Sequence, residues 1–248
     1  MRVALFVTCL VDMMRPSIGF SAIKLLEHAG CEVEVPLNQT CCGQPAWNSG
    51  ADAHSREIAR RVIDTFVDFD YVVVPSGSCA GMIRNHYPEA LKDDAPYYAR
   101  ALSLAKKTYE LSQFLTDIAG TVDFSARCKA IACYHDSCSA LREVAVGDAP
   151  RTLLSQVEGL ELKPLKDAEI CCGFGGLFSV KYPEISERMA DDKLSDAKNS
   201  EATLVIGPDL GCLLHLAGRA ARRGDNLRFR HIAEVLANCP LPPIGEGV

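Results

Sequence analysis

Two adjacent cysteines followed by a glycine occur twice in this chain of 248 residues, as Cys41-Cys42-Gly43 and Cys171-Cys172-Gly173. Each pair has one further cysteine upstream and one downstream, and the two sets of four are Cys9, Cys41, Cys42 and Cys79, and Cys138, Cys171, Cys172 and Cys212. Corresponding members of the two sets lie about 130 residues apart. Such a near-constant separation predicts one structural unit that the chain uses twice.

Four thiols in one set predict a site for a soft metal. Thiolates bind zinc, copper(I) or iron-sulfur clusters, and four of them suit a tetrahedral zinc ion or a cluster. Structural zinc sites commonly use C-x2-C pairs, and neither set contains one. Because the side chains of adjacent residues tend to diverge, Cys171 and Cys172 suit two iron atoms of one cluster better than one zinc ion. The spacing therefore favours an iron-sulfur cluster, and zinc stays an alternative.

The chain has twelve cysteines, and four of them have no counterpart in the other half: Cys31, Cys128, Cys133 and Cys239. Free cysteine packs as a small apolar residue, so we expect these four to be packing residues rather than ligands. Cys133 is the one among them that lies near a set cysteine, Cys138, and it stays open as a further ligand.

Apolar runs with the length of strands precede the cysteines of both sets. The predicted strands are 2–8, 31–36 and 71–75 in the first half and 129–135, 160–165 and 203–207 in the second. Helical spacing of apolar residues occurs between them, at 12–30, 51–68, 97–115, 139–146, 151–157, 183–199, 209–222 and 230–237. Strands that alternate with helices predict an α/β fold with a parallel sheet.

The repeat and a polar stretch around Gly120 predict two pseudo-symmetric domains, 1–122 and 123–248, each with a parallel sheet flanked by helices. Ligands of such sheets gather at the carboxyl ends of the strands. Each cysteine segment follows a predicted strand. We therefore expect each set of four thiols to meet at one edge of its own sheet.

Composition and charge exclude several classes of function. The chain is 48% hydrophobic and 23% charged, which is typical of a soluble globular protein, and no apolar run predicts a transmembrane segment. Its net charge of −6 disfavours nonspecific binding of nucleic acid. Met1 and Arg2 run directly into a predicted strand, which leaves no room for a signal peptide. We expect a cytoplasmic protein, and reducing conditions there disfavour structural disulfides.

The doubled pattern resembles a known family. A lone cysteine, a Cys-Cys-Gly and a distal cysteine, given twice, look like the cysteine-rich "CCG" domain pair found in heterodisulfide reductase and in the iron-sulfur subunits of glycolate oxidase and anaerobic glycerol-3-phosphate dehydrogenase. The resemblance is strongest to the short, stand-alone members that take part in lactate utilisation. It is carried by five segments, at 6–9, 41–45, 75–79, 134–138 and 171–176.

The resemblance implies an iron-sulfur redox subunit that oxidises L-lactate to pyruvate together with two other lactate utilisation proteins, one of which carries ferredoxin-like clusters. A small carboxylate would be the substrate, and the eight set cysteines would bind the clusters. The alternative is a zinc-stapled scaffold that only assembles redox partners.

One departure from the heterodisulfide reductase form concerns the end of each motif. That form ends in C-x-x-C, and its five cysteines hold a non-cubane 4Fe-4S cluster. Here Ser76 and Asp209 stand where the first cysteine of that ending would be. The departure leaves open a four-thiolate cluster at each site or zinc at one of them.

The strongest candidates for residues that take part in chemistry lie in the second half. His135, three residues before Cys138, is a candidate proton carrier, and a structural hydrogen bond at a strand end is its alternative. Asp209 is a candidate oxygen ligand that leaves an iron open to substrate, and a helix cap is its alternative. Ser76 is expected only to hydrogen-bond a sulfur.

Three further residues have weaker signals. We interpret Trp47 as a packing residue rather than a pocket residue. Arg142 and Arg188 are either carboxylate-binding or solvated, and the sequence favours neither interpretation.

Overall fold

The computed structural model of the chain describes residues 1–246 and contains two four-stranded parallel sheets, one in each half. The last two residues of the predicted second domain, 247 and 248, lie outside the described part. The strands are β1 (Arg2–Leu5), β2 (Glu32–Glu34), β3 (Tyr71–Val74), β4 (Thr108–Glu110), β5 (Arg127–Tyr134), β6 (Glu158–Lys163), β7 (Leu204–Gly207) and β8 (Arg228–His231). Their order is β2-β1-β3-β4 in one sheet and β6-β5-β7-β8 in the other, so the α/β prediction is confirmed.

Helices flank both sheets. They are α1 (Cys9–Met14), α2 (Ser17–His28), α3 (Gln44–Asn48), α4 (Asp52–Phe66), α5 (Gly77–Gly81), α6 (Tyr87–Ala90), α7 (Ala95–Lys107), α8 (Leu111–Gln113), α9 (Cys138–Arg142), α10 (Ala149–Leu154), α11 (Leu177–Lys181), α12 (Pro183–Asn199), α13 (Leu210–Arg223) and α14 (Ile232–Leu236), with π-helical turns at Met82–His86 and Phe114–Ile118. Central strands such as β7 are buried along their whole length because helices cover both faces of the sheet.

The fourth strand of each sheet contradicts the sequence prediction of three strands per half. The segment 97–115 was expected to be one helix, but α7 ends at Lys107 and β4 follows. Likewise β8 occupies the start of the helix expected over 230–237. Both strands are only three or four residues long and stand directly before a helix, so their apolar residues continue a helical spacing. Glu110 and His231 each end one of these strands and cap the helix that follows.

The helix predicted over 12–30 is two helices, α1 and α2, which separate at Arg15 and Pro16. Proline cannot supply the backbone N–H that a continuous helix would need here. The break lets α1 begin at Cys9, directly after β1, and this places the first cysteine at the carboxyl end of the sheet.

Several helices pack across the boundary between the halves, α2 on α14 most extensively and α8 on α10 as well, and two further pairs carry cysteines of the sets. Helix α5 of the first half packs against α9 of the second, and α1 packs against α13. Each pair unites a helix that carries the first cysteine of one set with a helix that carries the last cysteine of the other. At Gly77, an added Cβ would lie 2.5 Å from the Cβ of Ala140, so the α5–α9 contact is close enough to exclude a side chain.

We expect Gly77→Ala to lower the free energy of unfolding by about 1–3 kcal/mol, because the new methyl group overlaps Ala140 in a packed contact. Urea denaturation of the metal-free chain measures it. Gly19→Ala in α2 is the matched control, since its new Cβ would meet Val7 and Val11 at ordinary contact distances of 3.8 Å. The control should be neutral or stabilising by up to about 1 kcal/mol. Equal effects of the two substitutions would contradict a close α5–α9 contact.

The buried carboxyl group of Glu110 should make the free energy of unfolding depend on pH. Its carboxylate is fully buried and caps α8 by accepting from the amides of Ser112 and Gln113. Burial raises the pKa of Glu110 from 4.5 to about 7. Because the folded state then binds the proton more tightly than the unfolded state, this residue's contribution to stability falls as pH rises from about 4.5 to about 7.

Glu110→Gln should remove that fall, which amounts to roughly 3 kcal/mol at most. Urea denaturation at pH 5 and pH 8 measures the difference between wild type and variant. The exposed Glu89→Gln is the control and should follow wild type. If Glu110→Gln also follows wild type, the buried carboxyl group does not titrate in this range.

Candidate metal centre

A cavity of about 440 Å³ lies between the two halves and is lined by residues of both. Six of the eight set cysteines line it: Cys9, Cys41, Cys42, Cys79, Cys138 and Cys212. Members of both sets therefore line one shared cavity, which Cys171 and Cys172 do not reach. This follows from the fold, because the carboxyl ends of both sheets carry the cysteine segments and the halves meet there.

In the first set, the two adjacent cysteines, Cys41 and Cys42, each lie next to a different cysteine of the set. The Sγ atoms of Cys41 and Cys9 are 3.7 Å apart, and those of Cys42 and Cys79 are 3.2 Å apart. Cys42 and Cys79 are buried, whereas Cys9 and Cys41 are half-buried. The set thus has an inner and an outer pair of sulfurs.

The second set repeats this arrangement. The Sγ atoms of Cys171 and Cys138 are 3.9 Å apart, and those of Cys172 and Cys212 lie within 4.8 Å of each other. Again the second pair is buried and the first is half-buried. All eight cysteines predicted from the sequence as ligands thus occur in pairs of neighbouring thiols, in the same order in both halves.

The glycine after each vicinal pair contributes a hydrogen bond to sulfur. The amides of Gly43 and Gly173 each lie 3.4 Å from the Sγ of the cysteine two residues earlier, Cys41 and Cys171. Both glycines have a left-handed backbone, with φ of 84° and 88°. Residues with a side chain rarely adopt this conformation, so glycine is required for the amide to reach the sulfur.

Hydrogen bonds among the thiols set their protonation. Bonds from Cys42 and Cys9 lower the pKa of Cys41, whereas the bond to Cys41 and burial raise the pKa of Cys9. In the second set, the bond to Cys171 and burial raise the pKa of Cys138. Without metal, the neighbouring thiols of a set therefore do not ionise together. A bound cation would offset their mutual repulsion, which is the expected electrostatics of a metal-binding set.

Asp209 joins the two halves instead of capping α13. Its buried side chain makes no bond to the amides of its own helix. Oδ1 accepts from Ser76 Oγ at 2.5 Å and from Ser78 Oγ at 2.8 Å and amide at 3.2 Å, and Oδ2 accepts from Ser137 Oγ. The two positions where the heterodisulfide reductase form has cysteines thus bond to each other across the interface.

Ser76 differs from the sequence expectation, which was a hydrogen bond to sulfur. Its hydroxyl donates to Asp209 and accepts from the amide of Cys79, so that Ser76 caps α5. Thr8 and Ser137 cap α1 and α9 in the same way. A small hydroxyl residue therefore fixes the start of each of these three cysteine-bearing helices.

His135 lies fully inside the second half. Its side chain is 1% exposed, and neither ring nitrogen has a hydrogen-bond partner among residues 1–246. A ring nitrogen lies within 4.8 Å of the Sγ atoms of both Cys172 and Cys212. Burial lowers the pKa of His135 to about 4, so the ring is neutral near pH 7. The strand-end hydrogen bond considered for its side chain does not occur in the described residues.

Sequence reasoning missed part of the cavity wall. Trp47 packs against the apolar core, as interpreted from the sequence, but it also lines the cavity, with its ring 5.4 Å from the ring of His86. His86 in turn lies 3.7 Å from the carboxylate of Glu143 in the other half. His86 and Glu143 belong to no motif, and only the packing of the halves brings them together. Gln44 also lines the cavity.

Two of the unmatched cysteines lie in the apolar core. Cys31 and Cys133 are both buried there, and burial raises the pKa of Cys133 to about 12. A thiol with such a pKa stays protonated near neutral pH. Cys133 therefore has the environment of a packing residue.

The arginines considered for a carboxylate lie outside the cavity. Arg142 donates to the carbonyl of Glu169, and Arg188 is 79% exposed beside Asp192. The cavity lining includes the acidic Asp209 and Glu143 and, within residues 1–246, neither lysine nor arginine. The cavity thus has no fixed cation for an anionic ligand in the described part of the chain.

None of the helices in residues 1–246 combines the length and the apolar character that crossing a membrane requires.

Comparison with known proteins agrees with the repeat. The family profile described as "Cysteine-rich domain" (CCG) matches residues 3–84 and again residues 132–217. The chain is 50% identical to "Lactate utilization protein A" of Geobacillus kaustophilus over 95% of this chain and 98% of that protein. The protein of the same name from Shouchella clausii is 49% identical over the same shares of the two chains. "Lactate utilization protein A 2" of Bacillus cereus is 44% identical over 96% of this chain and 98% of that one.

A solved structure shares the fold. The crystal structure of a hypothetical protein from Helicobacter pylori matches 100% of this chain and 49% of its own length, with a TM-score of 0.65 and 12% identity. The chain thus spans about half the length of that protein, and the likeness shows the fold alone. The family rests instead on the two profile matches and on the close relatives: this chain belongs to the cysteine-rich CCG domain family, among the proteins called lactate utilization protein A.

Proposed function

We propose that the chain is the iron-sulfur redox subunit of a cytoplasmic lactate utilisation complex, which oxidises L-lactate to pyruvate with two partner proteins. The observation that carries this proposal is the pair of four-thiol sets with members on one cavity and the same neighbours in both halves. The names of the close relatives support the substrate. One partner would carry the ferredoxin-like clusters, since this sequence has no C-x2-C-x2-C run.

The thiol sets fit a 4Fe-4S type of cluster. Each set supplies the four thiolates that such a cluster takes, three pairs of these sulfurs lie 3.2–3.9 Å apart, and the glycine amides stabilise negative charge on Cys41 and Cys171. When bound, an iron-sulfur cluster accepts and releases single electrons. The protein's own contribution is to hold eight thiols in place, to bury half of them from water and to bring members of both sets to one cavity.

The charge of the cavity supports electron transfer rather than binding of lactate in this cavity. Lactate is an anion, and Asp209 and Glu143 line the cavity together with the thiols. The arginines considered for a carboxylate, Arg142 and Arg188, are exposed and already paired. We therefore assign the lactate-binding step to the assembled complex. Lactate oxidation releases two electrons and two protons, and the clusters of this chain would pass the electrons on singly.

A zinc-stapled scaffold is the second candidate function. It is favoured by one observation, the three donors of His135, Cys172 and Cys212 within 4.8 Å of one another, which is compact enough for a single ion. In that case the second half would hold zinc and serve assembly only.

Anaerobically purified chain should contain about eight iron atoms and absorb broadly in the visible range. Cys42→Ser and Cys172→Ser should each reduce iron and inorganic sulfide to about half, because each variant removes a ligand of one set. Lactate-dependent electron transfer by the complex reconstituted with both partners should fall at least tenfold in each.

Cys239→Ser is the control for this experiment, since Cys239 has no counterpart in the repeat and is half-buried. It should keep iron, sulfide and activity. Zinc without iron or visible absorption would contradict the redox proposal and favour the scaffold.

Asp209 has a further role under this proposal besides that of an oxygen ligand. Because its oxygens accept from Ser76, Ser78 and Ser137, the carboxylate would position the two thiol sets relative to each other. A positioning role and a ligand role differ in one respect. Only the former stabilises the chain when no metal is present.

Asp209→Ala should lower the free energy of unfolding of the metal-free chain by about 2–4 kcal/mol, because the buried hydroxyls of Ser76 and Ser137 and the half-buried hydroxyl of Ser78 lose a charged acceptor. In a double-mutant cycle with Ser76→Ala, we expect a coupling energy of about 1–3 kcal/mol. Ser49→Ala, whose hydroxyl bonds only within its own exposed helix end, is the control for loss of a serine. If Asp209→Ala leaves the metal-free stability unchanged but loses iron, the carboxylate acts as a ligand alone.

A further inference from the structure

His135 is a buried polar side chain that residues 1–246 leave without a hydrogen bond. Its ring is 1% exposed, and both Nδ1 and Nε2 are unpartnered in that part of the chain. An unpaired polar group in the interior destabilises the fold, so native structures rarely retain one without a ligand or a functional use. The residue therefore requires an explanation that the protein atoms do not provide.

The ring faces two sulfurs of the second set. One of its nitrogens and the Sγ atoms of Cys172 and Cys212 lie within 4.8 Å of one another. The position is well fixed, because the amide of His135 donates to the carbonyl of Ile206 at 2.8 Å, at the end of β5 beside β7. Imidazole and thiolate together are ligands that iron and zinc both accept.

The first half has no equivalent of this ring. In the repeat, Phe6-Val7-Thr8-Cys9 corresponds to His135-Asp136-Ser137-Cys138, so Phe6 occupies the position of His135. Phe6 is fully buried and packs against Phe66 with a centroid distance of 5.4 Å. The chain thus places an apolar ring beside one thiol set and a ring with two nitrogens beside the other.

We infer that His135 is an imidazole ligand of the second metal centre, so that the first centre is held by thiolates alone and the second by thiolates and one imidazole. This rests on the proposed clusters. It differs from the proton-carrier role considered from the sequence, since a proton carrier needs a hydrogen-bonded path and the ring has none among residues 1–246. Imidazole is neutral and thiolate is negatively charged, so a centre with imidazole at this position has a higher reduction potential than the same centre with a thiolate there.

The test uses full-length Cys42→Ser protein, in which we expect the second centre to be the only one loaded. The protein is labelled with ¹⁵N-histidine, reconstituted anaerobically with iron and sulfide, reduced, and examined by pulsed EPR against unlabelled protein. We expect a strong nitrogen coupling whose frequency changes with the isotope. The chain has six histidines, and His54→Phe on the exposed face of α4 is the control that should keep the coupling.

Two variants isolate His135. His135→Phe installs the first-half residue and should abolish the coupling. His135→Cys replaces the imidazole by another metal ligand, so that a lost coupling cannot be explained by misfolding or loss of iron. This variant should keep the iron content, lose the nitrogen coupling and have a lower reduction potential.

A loaded, reduced centre that has no strong histidine coupling would overturn the inference while leaving the cluster proposal intact. Coupling that persists in His135→Cys would also overturn it, because another histidine would then be the ligand. Failure of the wild-type chain to bind iron would overturn the proposed function itself, and the iron and sulfide contents distinguish that case.

Discussion

The direct link between the cysteine-bearing helices of the two halves depends on one buried carboxylate. Asp209 is 4% exposed, and a charge at such a position is tolerable only when its hydrogen bonds replace those of water. Three serine hydroxyls and one amide do so, and they come from both halves. Because Ser76 and Ser137 also cap the cysteine-bearing helices α5 and α9, the carboxylate links the starts of these helices directly. Any rotation of one half against the other would leave a buried charge or hydroxyl unpaired.

The sequence repeat explains why this contact joins matching positions. Ser76 and Asp209 are corresponding residues of the repeat, so the contact between them joins equivalent positions of the two halves. Around it, α5 packs on α9 and α1 on α13, and each pair brings one cysteine of either set to the interface. The missing side chain of Gly77 permits the close α5–α9 approach. The cavity between the thiol sets is thus a consequence of how the repeats pair.

The two thiol sets have the same backbone arrangement but different neighbouring residues. Both sets have the same sulfur pairs and the same glycine amide on the outer sulfur. They differ in the residue at the end of the first strand, Phe6 against His135, and in the residue at the interface, Ser76 against Asp209. A repeat that keeps its thiols but changes the residues beside them can place two unequal centres close together.

The sequence by itself determined the α/β class, the repeat and the cysteine segments, because hydrophobic spacing and thiol spacing are local properties of the chain. It predicted the helix Pro183–Asn199 with both of its ends, since proline and polar flanks mark them. It missed β4 and β8, whose three or four residues acquire strand structure only by pairing with β3 and β7. Only the tertiary structure decided that Ser76 bonds Asp209, that Trp47 and His86 line a cavity with Glu143, and that His135 faces two sulfurs. These contacts join residues far apart in sequence, and their partners are selected by the packing of the halves, which no local pattern encodes.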